Sequence, residues 1–144
     1  MSTMPDQNAF KPVIVVPVYN HAKPVSCLME KIRGFAVPCA LVNDGSETDC
    51  GISLDTLQEK YPGHVRVLHL PENQGKGGAV MAGFRHAAEQ GFTHVLQIDA
   101  DGQHNPADIP GFLEEARQFP DAVICGYPIY DESVPKARLY GRYA

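Results

Sequence analysis

Along this chain, short runs of β-branched and aliphatic residues alternate with stretches whose apolar positions recur every three or four residues. The first run, Val13-Ile14-Val15-Val16-Pro17-Val18, is apolar throughout, the pattern of a strand covered on both faces. Val25, Leu28, Met29, Ile32 and Phe35 follow at i, i+3, i+4, i+7 and i+10. They form one stripe of a helix, which Gly34 and Pro38 close. Cys39-Ala40-Leu41-Val42 predicts a second strand, ending in the turn residues Asn43-Asp44-Gly45-Ser46. Leu54, Leu57 and Tyr61 mark a second helix that Pro62-Gly63 stops, and residues 64–70 predict a third strand. The glycine-rich residues 73–78 open a third helix carrying Val80, Phe84, Ala87 and Ala88, which Gly91 ends. Residues 94–98 predict a fourth strand running into Asp99-Ala100-Asp101-Gly102-Gln103-His104. Asn105 then caps a fourth helix, with Pro106 first, Asp108 in its opening turn, and Ile109, Phe112, Leu113 and Ala116 as its apolar face. Residues 121–126 predict a fifth strand. Such a β-α-β-α-β-α-β-α-β order implies an α/β fold of Rossmann type, a mainly parallel sheet with helices on both faces. Beyond Gly126 the periodicity fails, and a sheet incomplete at the C-terminus is the expectation.

Composition narrows the class. The 144 residues suit one domain, and 44% hydrophobic with 20% charged residues is a globular balance. A formal charge of −5 argues against general nucleic-acid binding, which needs a basic face, but leaves room for a small anion held locally. The longest apolar stretch, 13–19, is interrupted by Pro17 and falls short of the ~20 residues of a membrane span. The first ten residues lack the basic start and apolar centre of a signal peptide. Cysteines at 27, 39, 50 and 125 form no C-x-x-C pair, so reduced thiols and a cytoplasmic setting are expected.

Ligands of open parallel sheets bind beyond the carboxyl ends of the strands. There the polar residues collect, at Tyr19-Asn20, Asn43-Asp44, residues 73–78, and Asp99 with Asp101. Two carboxylates two residues apart at a strand end suit a hard cation such as Mg²⁺ or Mn²⁺, although an Asp-Gly turn alone has the same spelling. An EF-hand counted from Asp99 fails, since its sixth and twelfth places hold His104 and Pro110. A phosphatase with an aspartyl nucleophile would place the pair after the first strand and Thr or Val where Gln103 stands. Gly75-Lys76-Gly77-Gly78 could cradle an anion at a helix start, or its glycines could serve tight helix–sheet packing; it matches neither a Walker A loop nor G-x-G-x-x-G. Asp44 suits either a base N–H or an Asx turn. Among the six histidines only His104 stands beside the carboxylate pair.

Together Val-Ile-Val-Val-Pro-Val-Tyr-Asn (13–20), Val-Asn-Asp-Gly-Ser (42–46), Asn-Gln-Gly-Lys-Gly-Gly-Ala (73–79) and Gln-Ile-Asp-Ala-Asp-Gly-Gln-His (97–104) resemble family 2 glycosyltransferases over about residues 12–127. The branch most resembled contains dolichyl-phosphate mannosyltransferases and polyprenyl-phosphate glycosyltransferases. The resemblance implies a GT-A fold, with a nucleotide-sugar-binding domain over 12–127 between a flexible segment 1–11 and an acceptor region or tail over 128–144. It further implies that Pro17, Tyr19, Asn20 and Asp44 line the nucleotide, that Gly75 and Lys76 stand near it, and that Asp99 and Asp101 are the D-x-D. Asp101 would bind Mg²⁺ or Mn²⁺, with Asp99 joining it directly or through water and also meeting the ribose. The reaction implied is inverting transfer from a nucleoside-diphosphate sugar to a lipid-phosphate or glycan acceptor. A cytoplasmic setting at the inner face of the membrane, with peripheral membrane association, is the expectation that goes with this resemblance.

The family's catalytic base matches no motif of this chain, and Asp131 and Glu132 carry no signature of that role. Arg138 and Arg142 suit a phosphate or a solvated tail equally. Two other readings stand beside transferase. One is a non-catalytic nucleotide-sugar-binding module. The other is a sugar-phosphate nucleotidyltransferase, which would want a Gly-rich basic loop where Pro17-Val18-Tyr19-Asn20-His21 stands. An exposed sheet edge would favour a homodimer.

Overall fold

The computed structural model describes residues 10–101, 105–122 and 124. Strands β1 (Pro12–Val18), β2 (Cys39–Asn43), β3 (Val65–His69) and β4 (His94–Gln97) form one parallel sheet in the order β3-β2-β1-β4. Helices α1 (Ala22–Ile32), α2 (Thr48–Lys60) and α3 (Gly75–Glu89) are the crossovers, and α4 (Ile109–Gln118) follows β4.

The order explains where each helix lies. The path β1-α1-β2-α2-β3 steps outward in one direction, so right-handed crossovers place α1 and α2 on the same face. The return from β3 past β2 and β1 to β4 reverses direction and puts α3 on the other. Alternation along the strands supplies both cores. Ile14, Val16, Val18, Cys39 and Leu41 pack with Val25, Leu28, Met29, Ile32, Leu54 and Leu57 of α1 and α2, and Ile109 of α4 joins them. Val13, Val15, Ala40 and Val42 pack with Ala79 and Ala87 of α3.

The α3 seam departs from expectation. Phe84 and Ala88 face outward, and the buried stripe is Ala79, Gly83 and Ala87. Small residues set the helix backbone close to the sheet, and a Cβ on Gly83 would lie 2.5 Å from Val15 Cγ1 and 3.2 Å from Val42 Cγ2. A stripe this small gives little hydrophobic signal in sequence. At the first helix, the α-helical turns stop at Ile32, so Phe35 falls in a 3₁₀ turn (Arg33–Phe35), and Ala36, not Gly34, takes the left-handed conformation at φ 53°. Asn105 caps as expected, accepting the Ala107 N–H at 3.0 Å, but it caps a 3₁₀ turn (Pro106–Asp108) leading into α4. Of the fifth strand expected at 121–126, Asp121 and Ala122 lie in a turn, where the Ala122 N–H donates to the Phe119 carbonyl at 3.0 Å. Val123, Cys125 and Gly126 lie outside the described residues, as do Gln103, His104, Asp131, Glu132, Arg138 and Arg142. Cys27, Cys39 and Cys50 are free thiols, and burial pushes Cys39 up to about 12.

On the outer surface Glu30 joins α1 to α2, its Oε1 accepting from Lys60 Nζ at 2.8 Å and Tyr61 Oη at 2.7 Å. The hydrogen bonds from Lys60 and then Tyr61 lower its carboxyl from 4.5 to about 2.

Three outcomes follow. Gly83→Val, which forces side-chain atoms into the α3 seam, lowers stability by about 1–3 kcal/mol. Gly111→Ala, where a Cβ meets nothing within 4 Å, raises it by about 0.4–1 kcal/mol; urea midpoints at constant slope check the pair. Because Glu30 is depressed on folding, its contribution is complete above pH 4.5 and is lost as pH falls toward 2. A carboxyl-carbon NMR titration of Glu30 checks that midpoint.

Candidate functional site

β1 and β4 are neighbours whose connections leave in opposite directions, so their carboxyl ends form the switch point of the sheet. The β1–β4 register runs from Pro12 opposite His94 to Val15 opposite Gln97 and goes no further as a ladder. Pro17 reports the same opening. Backbone groups two residues apart point the same way, and the Val15 carbonyl accepts the Ile98 N–H at 3.0 Å, toward β4. The donor that Pro17 lacks therefore faces the side where β4 has already ended. A proline inside a central strand is tolerated only where no ladder bond is lost, and here that place is the mouth of the crevice.

Alternation carries the site further. Val13 and Val15 face α3, and so do Ala40 and Val42. The same two-residue period brings Pro17, Asp44 and Asp99 to the α3 side. Asp44, 3% exposed, lies under the segment entering α3. Its Oδ1 accepts the Gln74 N–H at 2.7 Å, its Oδ2 accepts from Asn73 Nδ2 at 3.2 Å, and its carbonyl accepts from the same Nδ2 at 3.1 Å. Neighbouring Gly45 sits at φ +68°, and a Cβ there would press on the Glu72–Asn73 backbone, 2.7 Å from the Glu72 carbonyl carbon. Asp44 thus fastens two loops together, which the reading as an isolated Asx turn does not capture.

The other expected residues gather at the same edge. Asn20, at φ 57°, donates its N–H to Ser46 Oγ at 2.9 Å and accepts the Glu47 N–H on Oδ1 at 2.8 Å. This ties the loop after β1 to the loop after β2. Tyr19 beside it is half exposed. Gly75, at φ +83°, starts α3, and Lys76 Nζ stands 2.6 Å from Asp99 Oδ1, which also accepts from Gln97 Nε2 at 2.9 Å. Asp101 is exposed just past β4. The N-cap residue Gln74 makes no side-chain cap, the first turn of α3 holds no acid, and residues 75–77 are exposed. The positive end of the α3 dipole lies at the carboxyl edge of the sheet, beside the Asp44 turn and Asp99.

Sequence reasoning missed the supporting residues Asn43, Ser46, Asn73, Gln74 and Gln97. Asn43, Asn73 and Gln74 stand in the polar stretches at the strand ends and Ser46 in the turn beside Asp44, but no local signal marks any of them as a support. Gln97 carries no signal beyond its place two residues before Asp99.

Among the described residues no three His, Cys, Asp or Glu side chains form a ready-made metal cage. A cation of the Mg²⁺ kind needs only one or two carboxylates when phosphate oxygens complete its shell, and Asp101 with Asp99 offers that donor set.

The Glycosyl transferase family 2 profile matches residues 13–143. The chain belongs to this family. It is 36% identical over 106 residues to an undecaprenyl-phosphate mannosyltransferase of Micrococcus luteus, covering 72% of this chain and 43% of that one. It is 33% identical over 126 residues to an undecaprenyl-phosphate 4-deoxy-4-formamido-L-arabinose transferase of Erwinia tasmaniensis, covering 83% and 38%. To a polyprenol monophosphomannose synthase of Mycolicibacterium smegmatis it is 27% identical over 114 residues, covering 78% and 43%. The chain thus spans less than half the length of these curated relatives. A crystal structure of S. aureus TarS 1-349 superposes with a TM-score of 0.55 at 22% identity, covering 74% of this chain and 33% of that one. That likeness shows the fold, an α/β sheet of the expected GT-A kind.

This edge of the sheet combines a buried fastening with an exposed ion pair. Asp44→Ala strips two acceptors from the Asn73–Gln74 loop and costs about 1–3 kcal/mol. Lys76→Ala, on a side chain 62% exposed, costs less than about 1 kcal/mol. Urea unfolding of the two variants beside the parent chain measures both.

Proposed function

We propose that this chain forms the donor half of a polyprenyl-phosphate glycosyltransferase, binding a nucleoside-diphosphate sugar across the mouth between β1 and β4. The observation that carries this reading is the convergence of Asn20, Asp44, the uncapped start of α3, Asp99 and Asp101 on one edge of the sheet. The names of the relatives, three of which specify undecaprenyl phosphate or polyprenol, support the acceptor class.

In this reading the base lies by Pro17, Tyr19 and Asp44. Each Asp44 oxygen has two lone pairs, so a base N–H can be accepted beside the bonds from Gln74 and Asn73. The diphosphate meets the α3 amides from Gly75 onward and the Lys76 ammonium, which compensate its charge. Asp101, with Asp99, would hold Mg²⁺ or Mn²⁺, which when bound supplies charge neutralisation for the departing diphosphate. The Lys76–Asp99 contact at 2.6 Å keeps ammonium and carboxylate at the place where the diphosphate arrives.

Transfer then needs little proton chemistry. A phosphate acceptor is already ionised near neutral pH, so its oxygen attacks the anomeric carbon directly. The new carbon–oxygen bond forms opposite the breaking one, the electron pair leaves with the nucleoside diphosphate, and the centre inverts. No helix among the described residues is long and apolar enough to cross a membrane.

Calorimetric titration of UDP and of GDP, with Mn²⁺ and with EDTA, tests the donor site. One nucleotide should bind with Mn²⁺ and weaken about ten-fold or more in EDTA or in Asp101→Ala. Binding unaffected by either change would remove the metal role, and no binding of UDP or GDP by folded chain would remove the donor reading. Adding labelled nucleotide sugar and undecaprenyl phosphate separates a transferase from a binding module.

A further inference from the structure

A second row of side chains runs behind the crevice, from the surface of α2 to the turn that presents Asp44. Asp55 on α2 accepts from His69 Nε2 at 2.7 Å, and His69 Nδ1 lies 2.9 Å from Asn43 Nδ2. The other end of that amide, Asn43 Oδ1, accepts the Ser46 N–H at 3.0 Å. Ser46 Oγ in turn accepts the Asn20 N–H at 2.9 Å. The row thus joins α2, the ends of β3 and β2, and the loop after β1.

The direction of every bond is fixed by the two ends. A backbone N–H only donates, so Ser46 forces the Asn43 oxygen toward itself and leaves the amide nitrogen facing His69. An ionised carboxylate only accepts, so Asp55 requires the hydrogen of the neutral imidazole on Nε2. Nδ1 is then bare and accepts from Asn43 Nδ2, completing the row without conflict. Asn43 is 6% exposed, so a lost partner there is not simply replaced by water. The backbone of α2 closes over the contact at Gly51, where a Cβ would stand 3.4 Å from Asn43 Nδ2 and 3.9 Å from His69 Cε1.

We infer that His69 is a positioning residue, which holds the Asn43 amide and through it the 43–46 turn and Asp44 in the geometry the donor site uses. The consequence for donor binding rests on the function proposed above. The hold on the turn does not, and the two are measured separately.

Asparagine places an acceptor where His69 has Nδ1, whereas glutamine places a donor where it has Nε2. His69→Asn therefore keeps the bond to Asn43 and gives up Asp55; His69→Gln does the reverse. Amide hydrogen exchange at Ser46 reads the turn without ligand, and titration of UDP and GDP, each with Mg²⁺, reads the site. His69→Gln should exchange Ser46 about ten-fold faster and weaken nucleotide binding by a similar factor, while His69→Asn stays within about two-fold on both. In nitrogen-15 spectra the parent His69 should carry its hydrogen on Nε2; a hydrogen on Nδ1 would contradict the row, because the Asn43 amide nitrogen only donates. Equal behaviour of the two His69 variants at Ser46 would overturn the inference, because a merely structural ring would not distinguish its two nitrogens. If Ser46 separates the variants while the parent chain binds neither nucleotide, the relay stands and the donor reading falls.

Discussion

β1 is covered on both faces, and the rest of the domain is arranged to cover it. Ile14, Val15 and Val16 have no exposed surface, which a strand reaches only when helices lie above and below it. Parallel neighbours cannot be joined by tight turns, so each must return through a crossover of one hand. Two crossovers on one side leave the other face bare until the chain reverses direction to reach β4. That reversal delivers α3 to the bare face and opens the sheet between β1 and β4. The crevice is a by-product of burying β1.

The loops at this edge have no ladder to satisfy their backbone, and short polar side chains supply the missing partners. Asn20 serves Glu47, Asn43 serves Ser46, and Asp44 serves Gln74. Each of the first and last pairs joins loops from different strands, so the edge is fixed as a unit instead of loop by loop. Groups held this way can meet a ligand without first being ordered, which lowers the entropic cost of binding. The start of α3 differs, since its N-cap residue Gln74 makes no side-chain cap and residues 75–77 are exposed.

Much of this was legible in the sequence because the period of two is unforgiving. The apolar run 13–18 placed β1, and polar residues marked each strand end; the likeness to family 2 came from the motifs at 13–20, 42–46, 73–79 and 97–104 instead. The α3 seam was not legible, since Ala79, Gly83 and Ala87 bury backbone and not bulk. The joint held by Asp44 was invisible for another reason. Its partners Asn73 and Gln74 lie 29 and 30 residues away, and only the crossover brings them over. His69 had no local pattern at all, and its meaning comes from standing between an amide with a fixed orientation and a carboxylate.

A cavity of about 480 Å³ opens at the amino edge of the sheet, where His64, Arg66 and His86 line it. It gives the central claim a rival location within the same molecule. The most direct measurement is a map of amide chemical shifts on adding UDP or GDP with Mg²⁺. The account expects one nucleotide to move Asn20, Asp44, residues 75–77 and Asp101 together, at the carboxyl edge. Shifts confined to residues 62–66 and 86–92 would place the ligand at the opposite edge and contradict it.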